Sequence, residues 1–216
     1  MEWSEGVKSE LDFWGEWYKT KGLFWPDDYL FRLDADTEIQ ENISVHLVTG
    51  NERILDVGAG PLTVLGKKWK GKALTITACD ALADAYAVMN EIYNITPLIV
   101  TEKCRAERLC QKYNFSVFDL VHAQNCIDHF EDPLRAIIEM ISTVKRGGKV
   151  IMRHEVNEGE NEGYGGFHQW NFYADEGSFI ISGKGHCNNV NQVLGRHAKI
   201  FTTVEGGYIE NIIHRV

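Results

Sequence analysis

The sequence predicts an α/β fold: a doubly wound, mostly parallel sheet with an antiparallel C-terminal hairpin strand and an N-terminal helical segment. Three observations carry this. Short apolar runs alternate with helical patterns through the middle of the chain, the first run breaks into a glycine turn, and two strand-like runs near the end are joined by Gly206-Gly207. With 216 residues, 44% hydrophobic and 11% aromatic, the chain can bury one sizeable core. We therefore expect a single domain over 1–216, with an aromatic-rich helical cap over 1–50 and the sheet over 51–216.

The elements follow in order. Trp14, Trp17-Tyr18 and Trp25-Pro26 mark the cap, where they either pack on the core or close over a ligand; Ile39, Ile43 and Leu47 recur at helical steps. Arg53–Val57 reads as the first strand. The helix after it must be short, since Gly66 and Gly71 interrupt it. Leu74–Asp80 is the second strand, Ala83–Asn94 a helix, Pro97–Lys103 the third strand and Phe118–Asn125 the fourth. Asp132-Pro133 then caps a helix with apolar stripe Leu134, Ile137, Ile138, Ile141 and Val144, stopped by Gly147-Gly148. Lys149–Val156 is the fifth strand, and the end is a hairpin.

Composition narrows the function. A formal net charge of −9 without a dense Lys/Arg block argues against nucleic acid, so a small molecule or neutral glycan is the expected partner. Five scattered cysteines without a C-x-x-C pair argue for a reducing, cytoplasmic setting and against a structural zinc. The acidic start MEWSEGVKSE resembles no leader, and no apolar run approaches a membrane span. A monomer or homodimer is expected.

The most informative string is RILDVGAGPLT, residues 53–63. A buried strand ends in Asp56 and the pair Gly58 and Gly60, a turn at which a ligand can lie against the backbone. A nicotinamide site wants a third glycine, and Thr63 stands there instead. Asp56 also suits an ammonium group better than a pyrophosphate. Asp80, at the end of the second strand, can accept bonds from both ribose hydroxyls in either case. Together these favour a zwitterionic methyl donor.

With those residues named, the stretch from Arg53 to Val216 resembles the class I S-adenosylmethionine-dependent methyltransferases, whose core is Rossmann-like. LDVGAGP resembles that family's first motif and CDALADAY its acidic second motif, with Ala81 where relatives often carry proline. CRAERL resembles the adenine-contacting segment, FDLVHAQNCIDHFEDP the fourth motif, and VKRGGKVIMRHE the fifth strand and its glycine turn. The resemblance implies S-adenosylmethionine as cofactor and S-adenosylhomocysteine as product, held by Asp56, Gly58, Ala59, Gly60, Pro61, Asp80, Ala81, Ala106, Glu107, Gln124 and Asn125. NCIDHFEDP and HEVNEGENEGYGGFHQWNF further resemble bacterial methyltransferases associated with surface-polysaccharide or other glycan synthesis. That implies a hydroxyl of a sugar or glycan precursor as acceptor.

A hydroxyl must lose its proton during transfer, and histidine is the natural base near neutral pH. His129 or His168 is the expected base, with Asp128 orienting it; His154, Glu155, Gln169, Trp170 and Asn171 are expected to hold the acceptor. His122 is expected to face the core or the edge of the fourth strand. Asp128, Glu155, Glu158 and Glu162 could supply oxygen ligands to Mg2+, but NEGENEG reads first as a solvated loop, and no metal is expected. Two alternatives stay open: an N-methyltransferase acting on an amine metabolite, and a non-catalytic S-adenosylmethionine-binding subunit.

Overall fold

The computed structural model describes residues 3–216, so Met1 and Glu2 of the expected N-terminal helical segment lie outside the described residues. In chain order the helices are α1 (Trp3–Thr20), α2 (Pro26–Leu33), α3 (Glu41–Ser44), α4 (Ala83–Ile92), α5 (Leu109–Tyr113), α6 (Pro133–Thr143), α7 (Glu158–Asn161) and α8 (Val190–Leu194). The strands are β1 (Arg53–Val57), β2 (Lys68–Trp69), β3 (Lys72–Ala73), β4 (Thr75–Asp80), β5 (Thr101–Lys103), β6 (Phe118–Gln124), β7 (Val144–Glu155), β8 (Asn171–Asp175), β9 (Ser178–Gly183), β10 (His186–Asn189), β11 (Ala198–Glu205) and β12 (Tyr208–Arg215).

Seven strands form the main sheet in the order β11-β12-β7-β6-β1-β4-β5. The pairs β1–β4, β1–β6, β4–β5 and β6–β7 are parallel, whereas β12 runs antiparallel to both β7 and β11. The expected mostly parallel sheet with a terminal hairpin is therefore what folds. Chain order moves outward from β1 through β4 to β5, then restarts at β6 on the other side of β1. Ligands in open α/β sheets sit at such a reversal, beyond the carboxyl ends of the strands.

The central strands are apolar because both faces are covered. Leu55 and Val57 of β1, Val121 of β6, and Val150 and Met152 of β7 share one cluster with Ile137, Met140 and the β8–β9 aromatics Phe172 and Phe179. Ile54, Leu120 and Ile151 point the opposite way, onto Ile39, Ile43, Leu47 and Leu65. A third cluster joins Trp17, Tyr18 and Tyr29 of α1 and α2 to Leu62, with Met89 and Tyr93 against it. The tryptophans of the cap thus contribute a core of their own.

Several expectations are corrected. No helix follows the glycine turn. The backbone at 67–68 instead pairs with the cap: Lys67 and Lys68 N–H donate to the Thr37 carbonyl, and Ile39 N–H donates to that of Lys68. Gly66 is needed there, since a Cβ would lie 2.1 Å from the Glu38 carbonyl oxygen. The third strand shrinks to Thr101–Lys103, because it is a sheet edge and Pro97 brings no N–H to a ladder. Helix α6 starts as expected, with Asp132 accepting from Arg135 N–H and Pro133 in the first turn. It ends at Thr143, however, and Val144, Gly147 and Gly148 belong to β7, next to a register shift against β6. The strands β8–β10 form a separate antiparallel sheet, order β10-β9-β8, that the sequence reading did not contain. Among the described residues no helix is long and apolar enough to cross a membrane.

Candidate active site

The carboxyl ends of β1, β4 and β6 open into a cleft of about 770 Å³, roofed by α1 and α2. That is within the range of sites for small ligands. Its floor is the glycine turn. Gly58 and Ala59 N–H both donate to the Cys79 carbonyl, at 2.9 and 3.1 Å, which draws the turn toward the end of β4. Gly58 and Gly60 have φ of +67° and +64°, a conformation glycine adopts without strain. Crowding enforces the same choice: a Cβ on Gly58 would lie 2.6 Å from the Cys126 thiol, and one on Gly60 would lie 2.9 Å from the Trp14 ring.

Asp80 stands beside this turn. Its Oδ2 accepts from Gly60 N–H at 3.2 Å and its Oδ1 from Leu82 N–H at 2.8 Å. Burial pushes its carboxyl up to about 6, against the pull of those two donors. Ala81 and Leu82 continue the wall.

Asp56 does something different from what its motif position suggests. It is 1% exposed; His122 Nδ1 donates to its Oδ1 at 2.8 Å, and the Thr63 hydroxyl donates to its Oδ2. An ammonium would therefore meet a carboxylate whose two oxygens already have partners. Asp56 touches the cleft wall, but its first task is to lock β1, β6 and the turn together. Thr63, in the place of the missing third glycine, is part of that lock. Pro61, expected to hold the cofactor, is buried and is not among the residues lining the cleft.

The opposite wall carries Ala106 and Glu107, at the start of a 3₁₀ turn, with Gln124 and Asn125 from the end of β6. Glu107 Oε1 accepts from the backbone N–H of Glu131 and of Asp132, at 3.0 and 3.3 Å, so it also fixes the start of α6. Asn125 has φ of +46°, a left-handed conformation that asparagine tolerates.

At the far end the cleft gathers histidines and carboxylates. The 3₁₀ turn Ile127–His129 presents Asp128, 2% exposed, beside His129. His168 Nδ1 donates to Asp128 Oδ2 at 2.7 Å, and His129 Nε2 lies 3.4 Å from the same oxygen. The two rings meet edge to face, with centroids 4.6 Å apart. Burial alone would raise the Asp128 carboxyl, but the charges of His129 and His168 outweigh it and hold it below the usual value. Burial likewise disfavours charge on His168, and its bond to Asp128 reverses the sign, so its imidazolium is stabilised. His154, on β7, is 1% exposed and neither ring nitrogen has a partner, so burial drops it to about 3 and it stays neutral. Glu155 and Glu158 complete this end, and burial beside Glu155 raises the Glu158 carboxyl.

Fifteen of the residues singled out from the sequence line this cleft, and four do not. Besides Pro61, the exceptions are Gln169, Trp170 and Asn171, expected to hold the acceptor, whose side chains bond within the protein instead. Gln169 Nε2 donates to the Tyr164 carbonyl, Trp170 Nε1 to that of Phe130, and Asn171 Nδ2 to the Tyr164 hydroxyl. These three side chains tie the loop before β8 into place, while the His168 side chain bonds to Asp128. Conversely, the sequence reading missed Glu10 and Arg32 of the cap. Arg32 donates from Nη1 to the Leu62 carbonyl at 2.7 Å and lies 5.5 Å over the Trp14 ring. Glu10 Oε2 lies 3.6 Å from His129 Nδ1. Nothing in their local spacing marks them; only the packing of α1 and α2 across the sheet edge brings them in.

Residues 55–152 match a family described as a methyltransferase domain. Among solved structures the chain is similar to an S-adenosylmethionine-dependent methyltransferase from Aquifex aeolicus, at 13% identity and a TM-score of 0.52, over 84% of this chain and 92% of that one. It is also similar to one from Clostridium acetobutylicum ATCC 824, at 12% identity and 0.51, over 81% and 88%. An O-methyltransferase family protein from Burkholderia thailandensis gives 13% and 0.52, over 81% of this chain and 54% of its own. No curated protein matches the chain in sequence. The structural likenesses establish a methyltransferase-type Rossmann-like fold, and with the family match they support a methyltransferase. S-adenosylmethionine is the cofactor which that family implies.

Proposed function

We propose that this chain transfers a methyl group from S-adenosylmethionine to a hydroxyl of a sugar or glycan precursor. The observation that carries the reading is the placement of Asp128 between His129 and His168, in the same cleft as the glycine turn. Bound in that cleft, S-adenosylmethionine would supply a methyl group already activated by its sulfonium. The chain's own residues fit it at one end: Asp80 offers carboxylate oxygens of the kind ribose hydroxyls need, and the glycine turn leaves backbone exposed beside them. At the other end they do what an alcohol requires. Asp128 fixes the His168 ring through Nδ1, the His129 ring packs on its edge, and this group takes up the hydroxyl's proton as the acceptor is aligned. Phe167, whose ring centroid lies 5.9 Å from that of His129, and Glu155 and Glu162 of the same cleft supply a ring and carboxylates, surfaces suited to a sugar.

The test is incubation with labelled S-adenosylmethionine and a panel of sugar nucleotides, free sugars and amines, read by mass spectrometry. Methylated sugar is the expected product, with His168→Ala and His129→Ala each slowing its formation by about 10²–10⁴-fold. An amine that arrives neutral needs no strong base. Methylation of amines alone, at rates indifferent to both substitutions, would overturn the hydroxyl reading.

A further inference from the structure

We infer that Asp128, His129 and His168 form a binding site for a divalent first-row transition cation, with a position left open for an oxygen of the acceptor. The inference rests on the reading that the acceptor occupies this end of the cleft. It also revises the expectation from sequence, which placed at most Mg2+ here and gave it only carboxylates.

The donor atoms of the three residues all lie within 4.8 Å of one another. Ligands about 2.0–2.1 Å from a tetrahedral ion stand roughly 3.3 Å apart. His129 Nε2 is already 3.4 Å from Asp128 Oδ2, and His168 Nδ1, at 2.7 Å, has to move by only about half an ångström as an ion takes the place of its proton. The backbone holds the set in position. His129 N–H donates to the Cys126 carbonyl, His168 N–H to that of Gly165, and Gln169 N–H to that of Asp128 itself. Two imidazoles and one carboxylate are borderline donors, suited to zinc, cobalt, manganese or iron, whereas Mg2+ and Ca2+ favour oxygen sets.

Two further observations point to a ligand rather than to a self-contained cluster. The second ring nitrogen of His129 faces the Glu10 carboxylate, 3.6 Å away, which is the outer partner that metal-bound imidazoles commonly have. His154, buried and lining the same cleft, has no partner on either nitrogen, and Glu158 Oε2 is buried and unpartnered as well. Buried polar atoms are almost always satisfied, so these await a bound species. Three protein ligands and one open position are the arrangement of catalytic rather than structural zinc. With a cation bound the two histidines would be its ligands, so the deprotonation assigned above to their pair would instead come from the ion orienting an acceptor hydroxyl and lowering its pKa.

The tag-free full chain, stripped with chelator, should bind one Co2+ and develop the visible absorption of a cobalt ion held by nitrogen and oxygen. Asp128→Asn and His168→Gln should each weaken that binding by more than about 100-fold, beyond the loss typical of outer partners. His197→Gln, on an exposed histidine outside the cleft, should leave it unchanged, and far-UV circular dichroism checks that each variant folds. A chain that develops no cobalt spectrum, or whose spectrum survives both cleft substitutions, refutes the metal site. Should that happen while sugar methylation continues in excess chelator, the acceptor reading stands alone. Cobalt binding as described, with no hydroxyl methylated, would leave the metal site and remove the acceptor reading.

Discussion

Replacing Asp80 with asparagine should make the empty protein more stable and the cofactor complex weaker. The carboxylate sits at the strand end with two backbone donors, yet burial still lifts it from 3.8 to about 6. Fully expressed, that push would cost the folded state on the order of 3 kcal/mol at neutral pH, and water in the cleft reduces this to about 1–2 kcal/mol. The sign follows from an acid whose folded pKa is raised. The penalty is absent below about pH 4, grows between about 4 and 6, and is complete above that. Asparagine imitates the protonated acid, so Asp80→Asn should match the parent at pH 4 and exceed it at pH 7.5. Binding should move the other way. Loss of charge and of one acceptor toward the ribose hydroxyls should weaken S-adenosylhomocysteine by about 1–3 kcal/mol, or roughly 5- to 150-fold. Denaturant melts at the two pH values and a calorimetric titration at pH 7.5 read both quantities. A stability difference that does not change with pH, together with parental affinity, would refute both the buried-charge argument and the placement of the ribose.

Three further outcomes are expected. Gly58→Ala forces a Cβ to within 2.6 Å of the Cys126 thiol at a φ of +67°, so it should cost about 1–3 kcal/mol of stability and suppress S-adenosylhomocysteine binding; parental binding would show that the turn is not where the cofactor lies. Asp56→Ala strips His122 and Thr63 of their buried hydrogen-bond partner and should cost about 1–3 kcal/mol in a denaturant melt, whereas an effect confined to cofactor affinity would return Asp56 to the direct role its motif suggested. Glu52 accepts from the backbone N–H groups of Val48, Thr49 and Gly50, and these bonds outweigh burial to pull its carboxyl down to about 2. Glu52→Gln should therefore cost about 1–2 kcal/mol at pH 7, a difference that fades as pH falls from about 4.5 toward 2.

The legible parts of this fold were those where one local rule decides. β1 and β6 are largely buried and read as short runs rich in apolar residues; Asp132-Pro133 is a helix start by hydrogen-bond chemistry alone; Gly206-Gly207 turns a hairpin because both residues take positive φ. The sheet β8–β10 escaped although its signals were present. Glu176-Gly177 and Lys184-Gly185 are two-residue turns of the same kind, both with positive φ, and Lys70-Gly71 is a third, between β2 and β3. The polar string FHQWNF masks the start of a strand, which begins at its Asn171. In the cleft, the glycine turn and Asp80 were readable because strand-end geometry is local. The roles of Glu10, Arg32 and His122 were not, since each depends on a partner from a distant part of the chain, and that of Thr63 was not because a turn, not a helix, folds it back onto Asp56.

The place of β12 bears on how the molecule comes to be made. It follows both β7 and β11 in sequence, yet it lies between them in the sheet, with Ile209, Asn211 and Ile213 fully buried. A ribosome delivers β7 and β11 before the strand that must separate them exists. Until Tyr208–Arg215 emerges, β7 offers an unpaired backbone edge, the kind of surface on which nascent chains associate wrongly. The sheet therefore cannot close progressively from one side as it is synthesised, and completing its interior waits for the β11–β12 hairpin to fold back onto β7.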